Sequence, residues 1–282
     1  MTTKQLEQSL WLYGYSVDYA ERIGQTLELH TDSVGAKIFD CLPYSEIYTT
    51  LDELDANNIN TIFWSAAKIL ALNKEELGTI HIDGDVFLKH PRVIENLSLL
   101  EGHDVIVQMK ERYPIFMDWY NEQIPMFIDA IALSETSIDG FVTDLQESVN
   151  CGVLGFNSIE LKDKYVENYF KLIDVCSASQ DFMSLQKYDL SKRLAPNLII
   201  EQYYLAGLTS NTIKVKYLLE LNSEDYNNDI KDMNDQANEM GFAHAWGDSK
   251  TKIIQPIKDI LAERNPDLYE AISNRVIEIY NI

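Results

Sequence analysis

Apolar residues recur at helical spacing over residues 19–29, and residues 33–42 fit a short second helix. Residues 46–50 are rich in β-formers, and the run TIFWSAAKILAL at 61–72 predicts a buried helix. TIHID at 79–83 and VIVQM at 105–109 predict short buried strands. Residues 119–133 predict a packed helix that Pro125 starts or kinks. VNCGVLGF at 149–156 predicts a strand that holds two glycines. Residues 158–175 predict a strong helix with Ser158 as N-cap, and residues 197–207 another that ends at Gly207 as a C′ glycine. IKVKYLL at 213–219 predicts a strand, and residues 251–262 and 266–280 predict closing helices. The acidic, Asn-rich run 223–239 reads as a solvated face.

Strands alternating with helices predict an α/β domain: a mainly parallel sheet flanked by helices, with a helical C-terminus over 251–282. Seven prolines and twelve glycines are scattered singly, and no repeat or linker interrupts the pattern. The expectation is one domain over residues 1–282. Hydrophobic residues make up 46% and charged residues 24%, as in ordinary globular proteins. The 23 basic against 45 acidic side chains give a net charge of −22, which repels nucleic-acid backbones and anionic lipid. Nucleic-acid partners are therefore not expected. Cys41, Cys151 and Cys176 are odd in number and lack zinc-ribbon spacing, so reduced thiols and a cytoplasmic location are expected. The first thirty residues show no signal-peptide pattern, and no run of eighteen apolar residues predicts an integral membrane segment. Export by a route without a cleaved signal stays open.

In parallel sheets, ligands sit beyond the carboxyl ends of strands, so the residues that follow each strand carry the candidate chemistry. Asp83-Gly84-Asp85 follows the strand TIHID; two carboxylates there suit a divalent cation, and Asp-Gly is also ordinary turn chemistry. Asn150 and Gly152 sit inside an apolar strand, either as a ligand approach or as a bulge. Glu201 and Gln202 lie near the start of an apolar helix, where a carboxylate also suits the helix dipole. His244, Gly247 and Lys250 offer an imidazole, a turn and a cation for phosphate, or a loop that caps the last helices. His30, His81, His90 and His103 occur singly and read as structural. No dinucleotide fingerprint, P-loop or nucleophile elbow is present.

Taken in order, these segments resemble the motifs of GT-A-fold (Rossmann-like) glycosyltransferases, family 8: the glycogenin-like and bacterial galactosyltransferase-like enzymes. The D-x-D matches Asp83-Gly84-Asp85, the N-x-G-V strand matches Asn150-Cys151-Gly152-Val153, the D-Q-D type segment matches Glu201-Gln202-Tyr203, and H-x-x-G-x-x-K matches His244, Gly247 and Lys250. The likeness spans about residues 27–250, and residues 29–35 and 63–68 look like the family's second strand and the helix before its D-x-D. It implies a metal-dependent transfer of a sugar from a nucleotide-sugar donor, UDP-linked by family habit, to a carbohydrate-type acceptor with retained configuration. Asp83, Asp85 and His244 are implied to hold Mn²⁺ or Mg²⁺, and Lys250 with Gly247 to meet the diphosphate. Gln202 and Glu201 are implied to lie near the anomeric carbon, Asn150 and Gly152 near sugar or acceptor hydroxyls, and Lys68 to face nucleotide or sugar.

Several positions depart from the family. Residues 1–14 do not read as its first strand, Tyr203 replaces an acid, and Thr251 follows Lys250 where the family has Pro-Trp. The long stretch 86–149 is expected to hold a helical insertion that addresses the acceptor. Two other readings compete: a non-catalytic sugar-nucleotide-fold binding protein, and a haloacid-dehalogenase-type phosphatase, in which a D-x-D also follows a strand.

Overall fold

The computed structural model describes residues 2–98, 102–112, 114–134, 136–188, 190–210, 213–220, 226–245 and 249–281. In chain order the elements are α1 (Thr3–Arg22), β1 (Glu28–His30), α2 (Ser33–Phe39), β2 (Glu46–Tyr48), α3 (Asp52–Ala56), α4 (Ala66–Lys74), β3 (Ile80–Ile82), β4 (Val86–Leu88), α5 (Arg92–Ser98), β5 (Val105–Glu111) and α6 (Pro114–Ser134). There follow β6 (Ser148–Phe156), α7 (Ile159–Ala178), α8 (Gln180–Tyr188), α9 (Leu190–Leu198), one π-helical turn (Ile199–Tyr203), α10 (Tyr204–Thr209), β7 (Val215–Leu219), α11 (Tyr226–Met240), β8 (Phe242–His244), α12 (Ser249–Arg264) and α13 (Pro266–Tyr280). The protein is thus mixed α/β, with more helix than strand.

The strands form three small sheets among the described residues, in place of the single, mainly parallel sheet expected. β1–β2 and β5–β7 run parallel, while β4–β8 and β5–β6 run antiparallel. Three-residue strands offer too few ladder hydrogen bonds to extend a sheet.

The chain divides into two compact units. The first joins residues 1–52, 82–96 and 234–282; the second joins 53–81 and 97–233. In the first, α1 starts at a capping box: Thr2 Oγ1 accepts from Gln5 N–H at 3.3 Å, and Gln5 Oε1 accepts from Thr2 N–H at 2.8 Å. Residues 3–22 are therefore one long helix, and the 19–29 helix expected from sequence is displaced by its end and by β1. Leu10, Trp11 and Leu12 of α1 pack with Phe39, Phe87, Leu261 and Ile272. Asp18, 1% exposed, anchors the helix by accepting from Arg22 Nε at 3.1 Å, from Asn265 Nδ2 at 2.9 Å and from Arg264 Nη2.

The second unit holds the sheet β3-β6-β5-β7, whose central strands are buried on both faces, as their near-continuous apolar runs require. Ser158 caps α7 as expected, accepting from Leu161 N–H at 3.3 Å. Pro125 lies inside α6, eleven residues past its start. Residues 86–149 carry β4, α5, β5 and α6. Gly207 is not a C′ cap: α10 runs on to Thr209, and a Cβ at Gly207 would stand 2.9 Å from the Gly140 carbonyl oxygen. Close packing, and not a left-handed turn, sets that glycine. The 223–239 run belongs largely to α11; of its described side chains, Asp232, Asn234, Asp235, Asn238 and Glu239 are exposed, as the solvated-face reading expects, while Met233 and Ala237 turn inward.

Candidate metal centre and a buried polar cluster

The D-G-D segment sits in the first unit between β3 and β4. Val86 N–H bonds the Asp83 carbonyl at 2.9 Å and closes a tight bend. The ring of Tyr13 on α1 lies against Gly84, where an added Cβ would fall 1.9 Å from Tyr13 Cε1. Only glycine lets the backbone come this close. Ser16 Oγ donates to the Val86 carbonyl at 3.0 Å and fixes α1 to the same strand.

Antiparallel pairing then brings a distant segment to this bend. Val86 faces His244 across β4–β8, and Ala245 N–H donates to the Asp85 carbonyl at 2.9 Å. One ligand atom each of Asp83, Asp85 and His244 fall within 4.8 Å of one another. Asp85 Oδ2 lies 3.3 Å from His244 Nε2 and 2.6 Å from Lys250 Nζ, the second residue of α12. That oxygen is buried and has no hydrogen bond of good geometry, so imidazole and ammonium act on it chiefly as charge. Burial pushes the Asp85 carboxyl up, but the adjacent His244 imidazole and the Lys250 ammonium outweigh it and hold the group below the ordinary carboxylate value. Burial, with the charges of Asp83 and Asp85, pushes the Tyr13 phenol up to about 12.

Imidazole aside, the two carboxylates and Lys250 sum to one negative charge. A divalent cation fits this donor set of hard oxygens and one imidazole, and Mn²⁺ or Mg²⁺ suits it by ligand type. Its arrival would leave a net positive centre with a half-exposed lysine, which attracts an anion such as a diphosphate.

The second unit carries a separate polar cluster. Between Val107↔Leu154 and Met109↔Asn150 the β5–β6 register slips, so Cys151, Gly152 and Val153 stand opposite Gln108 alone. This bulge turns the Cys151 carbonyl to Lys68 Nζ of α4 at 2.9 Å. Lys68 Nζ also pairs with Glu201 Oε1 at 2.7 Å, with both side chains nearly dry. Glu201 and Gln202 ride on the π-helical turn, a distortion that is frequent at functional sites. Its extra residue lets consecutive side chains reach different neighbours: Glu201 meets α4, and Gln202 Oε1 accepts from the Tyr120 hydroxyl of α6 at 3.1 Å. Asn150 Nδ2 donates to Glu111 Oε1 at 3.0 Å, and Asn150 Oδ1 accepts from Gly152 N–H at 3.0 Å. The Tyr120 hydroxyl also stands 3.0 Å from Glu111 Oε2. Burial first, then the charge of Glu201, push the Glu111 carboxyl above its ordinary value, although hydrogen bonds from Asn150 and Tyr120 pull the other way.

Asp83, Asp85, His244 and Lys250 thus gather in the first unit, and Lys68, Asn150, Gly152, Glu201 and Gln202 gather in the second. Gly247 lies outside the described residues, with Trp246 and Asp248. Sequence reasoning missed Tyr13, Glu111 and Tyr120. Glu111 ends β5, so the rule that looks beyond strand ends finds it once the strand is drawn two residues longer. Tyr13 and Tyr120 leave no sequence signal apart from aromatic spacing in a helix. No curated protein and no solved structure matches the chain. A family described only as a family of unknown function, DUF6734, matches residues 5–275, nearly all of the sequence, and the chain belongs to that family.

Proposed function

We propose that the protein is a metal-dependent glycosyltransferase with a GT-A-like arrangement. It takes a sugar from a nucleotide sugar, UDP-linked in the first instance, and passes it with retained configuration to a glycan or other acceptor. The observation that carries this reading is the convergence of Asp83, Asp85, His244 and Lys250, from segments more than half the chain apart, on one spot beside β4 and β8. Asp83, Asp85 and His244 would hold Mn²⁺ or Mg²⁺. When bound, the cation supplies positive charge to a leaving diphosphate. Lys250 adds its ammonium charge to the same phosphates, and burial of Asp85 raises the strength of these interactions. The resemblance assigns Gln202 and Glu201 to the anomeric carbon and Asn150 to sugar or acceptor hydroxyls; all three belong to the second unit's own cluster. The buried Lys68 holds Glu201 in one orientation through its 2.7 Å ion pair.

Thermal unfolding against a panel of nucleoside diphosphates, each with Mn²⁺ or with chelator, tests this. A ligand at about a hundred times its Kd stabilises the folded state by about 2.7 kcal/mol. One nucleotide is expected to raise the midpoint with Mn²⁺, and the shift is expected to vanish with chelator and in Asp85→Asn. The absence of a shift with every nucleotide would overturn the reading. One observation favours a non-catalytic binding protein instead: helix α1 occupies the positions where the resemblance implies the base-pocket strand. That alternative requires no donor hydrolysis in the presence of Mn²⁺.

A further inference from the structure

Hydrogen-bond accounting around Glu111, wholly within the second unit, leaves one proton to be placed. The Tyr120 hydroxyl owns a single hydrogen, yet it stands 3.0 Å from Glu111 Oε2 and 3.1 Å from Gln202 Oε1. With Glu111 ionised and the amide as placed, one of these contacts is oxygen against oxygen. Both Tyr120 and Glu111 are buried, at 2% and 8% exposure, where an unsatisfied polar contact costs about 1–3 kcal/mol. A hydrogen on Glu111 Oε2 removes the conflict: Glu111 donates to Tyr120, and Tyr120 donates to Gln202 Oε1. Turning the Gln202 amide over would also remove it, with every bond reversed and Glu111 a carboxylate.

The surroundings decide between the two orders. Glu111 meets Tyr120 from α6, Asn150 of β6 and the like charge of Glu201 on the π-helical turn. Ser148 and Cys151 of β6 lie beside Tyr120. Lys68, the cation of this cluster, is engaged by Glu201 and the Cys151 carbonyl. Burial first, and a like charge nearby second, favour the neutral form of a carboxyl group.

We propose that Glu111 is a neutral carboxylic acid heading a one-way hydrogen-bond chain, Glu111 to Tyr120 to Gln202, which fixes the Gln202 amide so that its Nε2 hydrogens are what it offers to an oxygen of a bound ligand. Glu111 and Tyr120 are positioning residues that act through Gln202. The ligand class follows: an acceptor oxygen, such as a sugar ring or hydroxyl oxygen, is accepted at Gln202, and an ammonium group is refused. That ligand assignment rests on the sugar-transfer reading, whereas the placement of the proton does not.

Infrared difference spectroscopy of the full chain at neutral pH, parent minus Glu111→Gln, reads the proton directly. The expected result is a protonated-carboxyl carbonyl band that shifts in heavy water. A spectrum with carboxylate bands alone overturns the proposal. If Glu111→Gln fails to fold, parent minus Tyr120→Phe carries the same test: loss of the hydroxyl is expected to move the carboxyl band, and no band to move overturns the chain. Stability against pH is a second readout. Because the folded value lies above the ordinary 4.5, the folded state holds the proton more tightly. The midpoint of the parent is therefore expected to fall relative to Glu111→Gln as pH rises from about 4.5 through the folded value. A pH-independent difference overturns the assignment. A neutral Glu111 without any nucleotide shift leaves the chain standing and removes the transferase reading; an ionised Glu111 with a nucleotide shift does the reverse.

Discussion

Gly84→Ala tests how the bend that carries Asp83 and Asp85 is held. The backbone there is not in the left-handed region, so alanine meets no conformational strain and the effect is steric. Its Cβ would fall 1.9, 2.6 and 2.7 Å from three atoms of the Tyr13 ring. Ordinary contact begins near 3.4 Å, so ring and loop must part by about 1.5 Å. The ring also packs on Phe39, with centroids 5.1 Å apart, so moving it disturbs that contact. Overpacking of this kind costs about 1–3 kcal/mol. In a chain of this size, each kcal/mol lowers the unfolding midpoint by about 2–4 °C. Asp83 and Asp85 flank the displaced residue, so Mn²⁺ affinity is expected to weaken by about 10–100-fold, as for loss of a ligand's support. Calorimetric unfolding and Mn²⁺ titration measure the two effects. Tyr13→Ala in the same chain makes room for the new methyl, and the double variant is expected to recover about 0.5–3 kcal/mol against additivity. A Gly84→Ala protein with the parent's midpoint and Mn²⁺ affinity would refute the reasoning, as would strict additivity of the pair.

Two further outcomes follow from buried partners in the second unit. Lys68→Met takes the ammonium away from the dry Glu201 carboxylate, and is expected to cost about 3–5 kcal/mol in urea unfolding; Lys68→Met with Glu201→Gln is expected to regain most of that, and no recovery would argue against the ion pair. Asn197→Ala removes the acceptor of Ser65 N–H at 2.8 Å and the donor to the Ile62 carbonyl at 2.8 Å. A loss of about 1–3 kcal/mol is expected, seen as a lower urea midpoint at unchanged slope, and a neutral result would mean that water replaces the amide.

The elements legible in the sequence were those whose pattern is local. The Ser158 cap and the apolar runs of β5 and β6 needed no knowledge of partners. β4 and β8 were not legible, because three residues show no period and their pairing joins segments far apart in the chain. His244 consequently read as part of a loop, although its strand is what carries it to Asp85. The opening helix was missed because its polar first turns hide the apolar stripe that begins at Leu10. Asp83, Asp85 and His244 were named from their motifs, and the structure gathers them within ligand distance of one another. Glu111 escaped notice because an acid after Lys110 reads as surface charge, whereas β5 carries it inward.

The first unit is assembled from three separated stretches, and the cluster of Asp83, Asp85 and His244 draws on the last two of them. A nascent chain paused at Met233 has every residue of the second unit and none of residues 234–282. At about 5–20 residues per second, His244 follows Asp85 out of the ribosome after a delay of roughly 10–30 s. Through that interval Leu10 and Trp11 lack their partners on α12 and α13, so the apolar stripe of this helix is incompletely covered. On the proposed reading, cation uptake waits for residues 234–282, and cation-dependent resistance to proteolysis would report that the Asp83, Asp85 and His244 cluster is assembled.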